Sequence, residues 1–104
     1  MVEKVVRLVV SVASGCEIAL TGRLDVHAVA EVRDMLQAAV DAGSGDLVVD
    51  VAGVELVDIT GLGVLVGADR RAKLAGRRIV LQGAGSRLLR LLRATGLHRV
   101  LTIG

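Results

Sequence analysis

Residues 47–66, LVVDVAGVELVDITGLGVLV, form the stretch that decides which fold the sequence predicts. Residues 47–51 are almost continuously apolar, which is typical of a central strand buried on both faces. Gly53 indicates a turn, and residues 60–75 then place apolar side chains at helical spacing. Gly76 follows at the position where a helix commonly ends. A buried strand that leads into a helix predicts an α/β domain.

The flanking sequence continues this alternation of strands and helices. The turn residues Ser14 and Gly15 indicate that the first two strands form an antiparallel hairpin, and Gly22 indicates the end of the second strand. Ser86 is predicted to cap the last helix. Strands are predicted over residues 5–12, 16–21, 47–51, 78–82 and 100–103, and helices over residues 26–41, 60–75 and 86–92. We therefore expect a mixed β-sheet with helices packed against it.

The composition excludes several classes of protein. Hydrophobic residues make up 53% of the 104-residue chain and proline is absent, so the chain can bury a core and is not intrinsically disordered. Phe, Tyr and Trp are absent, which removes the stacking platforms used to bind single-stranded nucleic acid. One Cys and two His cannot form a four-ligand zinc site without carboxylates. We therefore predict no metal site and no cofactor.

The distribution of charge argues against membrane and nucleic-acid binding. The mean hydropathy is +0.65, but the longest uncharged stretch, residues 59–68, has ten residues. A spanning helix needs about 20 apolar residues, and the N-terminus lacks a continuous signal-peptide core, so we expect a cytoplasmic protein. Residues 69–104 carry nine basic side chains and one acidic one. Six of these nine lie in, or directly after, two predicted helices as solvated faces, so they do not indicate nucleic-acid binding.

A few polar residues stand where they could carry a function. Asp25 and Asp58 lie at strand-to-helix transitions, where a carboxylate can accept hydrogen bonds from the first N–H groups of a helix. Thr60 follows at a helix start, where the helix dipole favours a phosphate and the nearby Asp58 disfavours it, and an N-cap threonine is the simpler interpretation. Neither histidine, His27 or His98, has a partner in sequence that suggests a catalytic site. We predict no catalytic residue.

The segment VDITGLGVLV at residues 57–66 resembles the signature of STAS domains, specifically that of the bacterial anti-sigma factor antagonists. Three further segments match the family in order and distance: LTGRLD at residues 20–25, LVVDV at residues 47–51 and ATGL at residues 94–97. The resemblance covers nearly the whole chain. It implies a single STAS-type domain over residues 1–104, a small mixed β-sheet with helices packed mainly on one face, and a protein that is not an enzyme.

The resemblance also implies a mechanism of partner switching. In this family the antagonist binds an anti-sigma factor that is also a serine/threonine kinase, and this binding releases a sigma factor. The kinase phosphorylates the antagonist to end the binding, and a phosphatase restores it. The implied partner surface has an apolar centre, formed by Leu24, Ile59 and Leu62, and is rimmed by two aspartates. Its residues are Leu24, Asp25, Asp58, Ile59, Thr60, Gly61 and Leu62.

Two positions depart from the family pattern. The family's phosphoacceptor directly follows the signature Asp, and here that residue is Ile59, which has no hydroxyl group. Thr60 matches the second Ser/Thr of the family signature and is the candidate phosphoacceptor. The alternative is a phosphorylation-independent module that acts in scaffolding or in sensing a small ligand. Arg23 stands where the family commonly has Glu, which implies a different choice of partner.

Overall fold

The computed structural model describes residues 6–9 and 16–104 and shows a five-stranded sheet with three helices. The strands lie in the spatial order β1-β2-β3-β4-β5, with β1 antiparallel to β2 and the other neighbouring pairs parallel. In chain order the elements are β1 (Val6–Val9), β2 (Cys16–Leu24), α1 (Val29–Ala42), β3 (Asp46–Val57), α2 (Ile59–Leu74), β4 (Arg78–Gln82), α3 (Ser86–Thr95), a short 3-10 helix (Leu97–Arg99) and β5 (Thr102–Ile103).

This architecture confirms the predicted α/β class, its mixed sheet and the antiparallel pairing of the first two strands. The predicted first strand covered residues 5–12, of which the structure shows a strand at Val6–Val9. The remaining residues of that prediction, and the predicted turn at Ser14 and Gly15, lie outside the described residues. Within the described ranges, no helix combines the length and the hydropathy that crossing a membrane requires.

The core lies against one face of the sheet. Ile18, Val49 and Leu81 are register partners on three adjacent strands, and each is fully buried. Val48 and Val80, which point to the opposite face, are only half-buried. All three helices contribute buried side chains to the same cluster: Val32, Leu36, Leu62, Leu65, Leu88 and Leu92. Each such side chain stabilises the fold by about 1.5–3 kcal/mol relative to an exposed one.

The central strands are longer than predicted. β3 continues through Gly53, so the predicted turn there was wrong, and β2 continues through Gly22 to Leu24. The register between the strands shifts twice, which accommodates two extra residues of β3 against β2. A Cβ at Gly53 would lie 2.8 Å from the Thr21 Cγ2 atom. Gly53 therefore permits close approach within a strand and does not form a turn.

One predicted helix start and one predicted cap were also wrong. α1 begins at Val29, because Ala28 N–H donates to the Asp25 carbonyl at 3.0 Å and closes a turn before the helix. Gly85 is the N-cap of α3, and Ser86 is its first helical residue, with no capping hydrogen bond from a side chain. α3 ends later than predicted, at Thr95.

Arg77 is a buried cation that joins α1 to the start of β4. Its side chain is 5% exposed and donates to the carbonyl oxygens of Ala39 at 2.8 Å and Val40 at 2.9 Å, in the last turn of α1. It also donates to the Gly45 carbonyl at 2.9 Å. The guanidinium therefore satisfies carbonyls that the C-terminal end of α1 leaves unpaired. Gly76, the residue before Arg77, has a φ of +73°, as predicted for the residue that follows the end of α2.

Candidate functional site

The candidate site lies where β2 and β3 end side by side. Leu24 and Val57 are register partners at the ends of these parallel strands. Asp25 and Asp58 follow them directly, and Asp58 N–H donates to the Leu24 carbonyl at 3.3 Å. The carboxyl ends of parallel strands meet at one edge of a sheet, a common location for binding sites. The structure thus brings together the two loops that the sequence analysis singled out.

Asp58 is the N-cap of α2. Its Oδ1 atom accepts a hydrogen bond from Gly61 N–H at 2.9 Å and one from the Thr60 hydroxyl at 2.5 Å. These bonds, with the Thr60 hydroxyl first and the Gly61 amide second, hold the pKa of the Asp58 carboxyl below its usual value. The Val26 amide in the neighbouring loop lowers the same pKa to a smaller extent. The predicted capping role of Asp58 is confirmed.

Asp25 has a different role from the one predicted. Its Oδ1 atom accepts a hydrogen bond from His27 N–H at 3.0 Å, within the turn that precedes α1. Ala28, and not Asp25, is the N-cap of α1, so the predicted capping role of Asp25 was wrong. Asp25 instead fixes the shape of the turn that stands beside Asp58.

Gly61 sets the distance between α2 and β2. It is buried, and a Cβ at this position would lie 2.2 Å from the Leu24 carbonyl oxygen. No side chain fits there without displacement of the backbone of one element. Gly61 therefore belongs to the packing of the site and not to its exposed surface.

The exposed part of the site differs from the predicted surface. Leu24 and Leu62 are 2% and 1% exposed, because both face the core, so two of the three residues predicted as the apolar centre are buried. Ile59 is 69% exposed, and Val26, which the sequence analysis missed, is 60% exposed. We call the exposed and half-buried residues here the α2 N-terminal surface: Asp25, Val26, Asp58, Ile59 and Thr60.

Two shallow grooves border this surface. Thr60 lines a groove of about 420 Å³ between α1 and α2, together with Arg33. Ile59 lines a second groove, of about 390 Å³, on the side of α2 that faces Thr95. Among residues 6–9 and 16–104, no group of three or more His, Cys, Asp or Glu side chains could hold a metal ion. The surface thus presents two exposed apolar side chains beside two carboxylates and one hydroxyl group.

Comparison with known proteins places this arrangement in context. The family model described as "Mlab, STAS domain" matches residues 9–102 of the chain. The anti-sigma-B factor antagonist of Staphylococcus epidermidis is 31% identical over 87 residues, which cover 84% of this chain and 81% of that protein.

Two solved structures are similar over most of the chain. A variant of RsbS from Moorella thermoacetica has a TM-score of 0.77 and 28% identity, and the match covers 95% of this chain and 85% of that one. The Bacillus cell fate determinant SpoIIAA in its phosphorylated form has a TM-score of 0.73 and 20% identity, with coverage of 95% and 90%. At 20% identity, the similarity to SpoIIAA shows a shared fold alone.

Proposed function

Because the chain belongs to the STAS domain family, we propose that it is an anti-sigma factor antagonist. It binds an anti-sigma factor of the serine/threonine kinase type in the cytoplasm, releases a sigma factor and catalyses no reaction. A relative named as an anti-sigma-B factor antagonist, 31% identical over 84% of this chain, supports this proposal. The observation that carries it is the Asp58 cap, which presents Ile59 and Thr60 outward at the carboxyl end of the sheet.

Ile59 is the proposed anchor of the interface. It is the first residue of α2, and its side chain is 69% exposed although it is a large apolar group. Burial of such a side chain against a partner contributes about 1.5–3 kcal/mol. Asp25 and Asp58 lie beside it, so a partner with basic groups around an apolar pocket would be oriented by charge.

Thr60 is the proposed phosphoacceptor of the switch. Thr60 is exposed, and its hydroxyl donates a hydrogen bond to Asp58 Oδ1, with 2.5 Å between the two oxygen atoms. A phosphate would replace this donor with a charge of about −2 next to the carboxylate. The repulsion would break the Thr60–Asp58 bond and change the charge of the α2 N-terminal surface. This gives a kinase a physical means to end binding, and a phosphatase a means to restore it.

The binding proposal is tested by co-purification of the anti-sigma factor with tagged variants of this chain. Ile59→Glu should weaken binding by about tenfold or more, because it replaces the apolar anchor with a charge. Leu74→Glu is the matched control, since Leu74 is 86% exposed at the other end of the same helix. Equal affinity of the two variants would show that the α2 N-terminal surface is not the interface.

The phosphorylation proposal is tested by incubating the chain with the anti-sigma kinase and ATP, followed by intact mass measurement and fragment mapping. We expect one phosphate, on Thr60, and none on Thr60→Val, which keeps the shape of the side chain without its hydroxyl. Transfer to another hydroxyl residue, or no transfer, would contradict the role of Thr60.

The second candidate function is a phosphorylation-independent module for scaffolding or for sensing a small ligand. The observation that favours it is Ile59, which stands where the family has its acceptor hydroxyl and leaves Thr60 engaged with Asp58. It predicts that protein isolated from its own cells carries no phosphate during growth or stress. Binding to the partner would then be unchanged by ATP.

A further inference from the structure

Among the residues that the structure describes, the second half of β3 has a strand neighbour on one side only. β4 pairs with residues 46–50 of β3, and the last pair in this register is Asp50 with Gln82. In the described part of the chain, residues 53–57 of β3 pair with β2 alone. Within those residues, the N–H and C=O groups that point away from β2 have no strand partner and can pair with an added strand.

A groove of about 370 Å³ runs between this free edge and α3. We call it the β3–α3 groove, formed by residues 54–57 together with one face of α3. Leu56, Leu88 and Leu91 give it an apolar lining, and Leu56 remains 47% exposed. Monomeric proteins normally cover an unpaired strand edge and the apolar side chains beside it. Here the groove leaves room for another chain to do so.

The rim of the groove is basic. Arg87 and Arg90 lie three residues apart on α3, line the groove and are both exposed. Neither forms an ion pair within the residues that the structure describes. Glu55 is the one acidic residue of the lining, and α3 contains no acidic residue. Arginine side chains without partners suit carboxylates, which they bind with two hydrogen bonds.

We propose that the β3–α3 groove binds an extended, acidic segment of a partner protein as an added strand. The backbone of the segment pairs with the free edge at residues 53–57, and alternate side chains enter the groove against Leu56 and Leu91. Asp or Glu side chains of the segment pair with Arg87 and Arg90. This site shares no residue with the α2 N-terminal surface, and the inference does not rest on the proposed function.

The test uses the full chain, labelled with ¹⁵N, and two short synthetic peptides as probes. One peptide alternates valine or threonine with glutamate, and the other has lysine in place of glutamate. The acidic peptide should cause saturable shifts of the amide signals of residues 53–57 and of α3, and the basic peptide should not. No shifts, or shifts confined to the α2 N-terminal surface, would overturn the proposal.

Paired variants separate recognition from general charge attraction. Arg87→Glu with Arg90→Glu should weaken binding of the acidic peptide by about tenfold or more. Arg93→Glu with Arg99→Glu makes the same change in net charge at exposed arginines outside the groove lining, and should leave binding nearly unchanged. Equal losses in both pairs would overturn the proposal.

One further variant and one concentration series test the same proposal. Glu55→Gln removes the acidic residue of the lining and should strengthen binding of the acidic peptide, without disturbing the arginines. The amide signals of residues 53–57 are also followed against protein concentration in the absence of peptide. Concentration-dependent shifts there would identify a second copy of the chain as the occupant and would overturn the proposal of an acidic partner.

Discussion

The two ends of α2 are held in opposite ways. At the N-terminal end, Asp58 bonds to Thr60 and Gly61, which are two and three residues away, and the Thr60 bond is exposed. Just beyond the C-terminal end, Arg77 is buried and reaches carbonyls that are 32 to 38 residues away. Long-range buried bonds hold the elements together, whereas short-range exposed bonds shape one surface. The end proposed for recognition can therefore change while the fold persists.

The largest expected effect follows from removal of the Arg77 guanidinium. Arg77→Met leaves the carbonyls of Ala39 and Val40 without their donor, and we expect a loss of about 3–5 kcal/mol in the free energy of unfolding. Urea denaturation measures this loss. Arg78→Met is the control, because the neighbouring Arg78 is exposed and, among the described residues, its side chain bonds to Asp46 alone. Similar urea midpoints for the two variants would show that the buried bonds of Arg77 stabilise the fold no more than an exposed ion pair does.

The next effect compares two glycines of α2. Gly61→Ala places a Cβ against the Leu24 carbonyl, so we expect a loss of about 1–3 kcal/mol as the helix start is displaced. At Gly63 a Cβ meets nothing within 4 Å, so Gly63→Ala should stabilise the helix by about 1 kcal/mol. Thermal unfolding of both variants should show shifts of opposite sign. Shifts of the same sign would contradict the close approach at Gly61.

A smaller effect should depend on pH at the Asp58 cap. The folded pKa of Asp58 lies below the usual value of 3.8, so its carboxylate stabilises the fold above that pH. This stabilisation is lost as the pH falls through the folded pKa. Parent and Asp58→Asn should therefore differ in urea midpoint near neutral pH and converge in acid.

Thr60→Val provides the control for the pH experiment. It removes the hydroxyl that contributes most to the lowered pKa of Asp58. In the Thr60→Val background, the change in urea midpoint caused by Asp58→Asn should be smaller at neutral pH than it is in the parent. A change that stays constant from neutral to acid pH would show that the Asp58 charge does not stabilise the cap.

The smallest effect is expected at the ion pair between Asp41 and Arg71. Their side chains are 57% and 45% exposed, and the Arg71 Nη2 to Asp41 Oδ2 distance is 2.9 Å. Water screens such a pair, so a double-mutant cycle with Asp41→Asn and Arg71→Met should give a coupling near the error of the measurement. A coupling comparable to the effect of Gly61→Ala would show that exposed bonds also hold the helices together.

The order and type of the elements could be predicted because periodicity and turn residues are local properties. The helix of residues 60–75 and the strand of residues 78–82 were predicted with nearly their observed bounds. The extension of β3 through Gly53 could not be predicted, because it depends on a register shift against β2, a segment distant in sequence. A glycine in an otherwise apolar run has the same local pattern in a turn and in a strand.

The two loops of the candidate site could be predicted from the sequence, but which of their side chains are exposed could not. The loops at Asp25 and Asp58 were identified, yet Leu24 and Leu62 were assigned to an interface although they face the core. A leucine at a strand end or a helix start gives the same apolar pattern whichever way its side chain points. Arg77 was counted among the basic residues of the C-terminal third and was given no role of its own, since no sequence signal distinguishes a guanidinium that bonds to carbonyls from one that bonds to water. Its position directly after Gly76 was the available hint.

The bonds of Arg77 also have a consequence for rates. The bond to Ala39 spans 38 residues of sequence between the end of α1 and the residue before β4. Because closing a long loop costs entropy, we expect these bonds to form late in folding. Interactions that form after the transition state slow unfolding and leave the rate of folding almost unchanged. We therefore expect Arg77 to lengthen the lifetime of the folded chain, because its buried bonds must break before the chain unfolds.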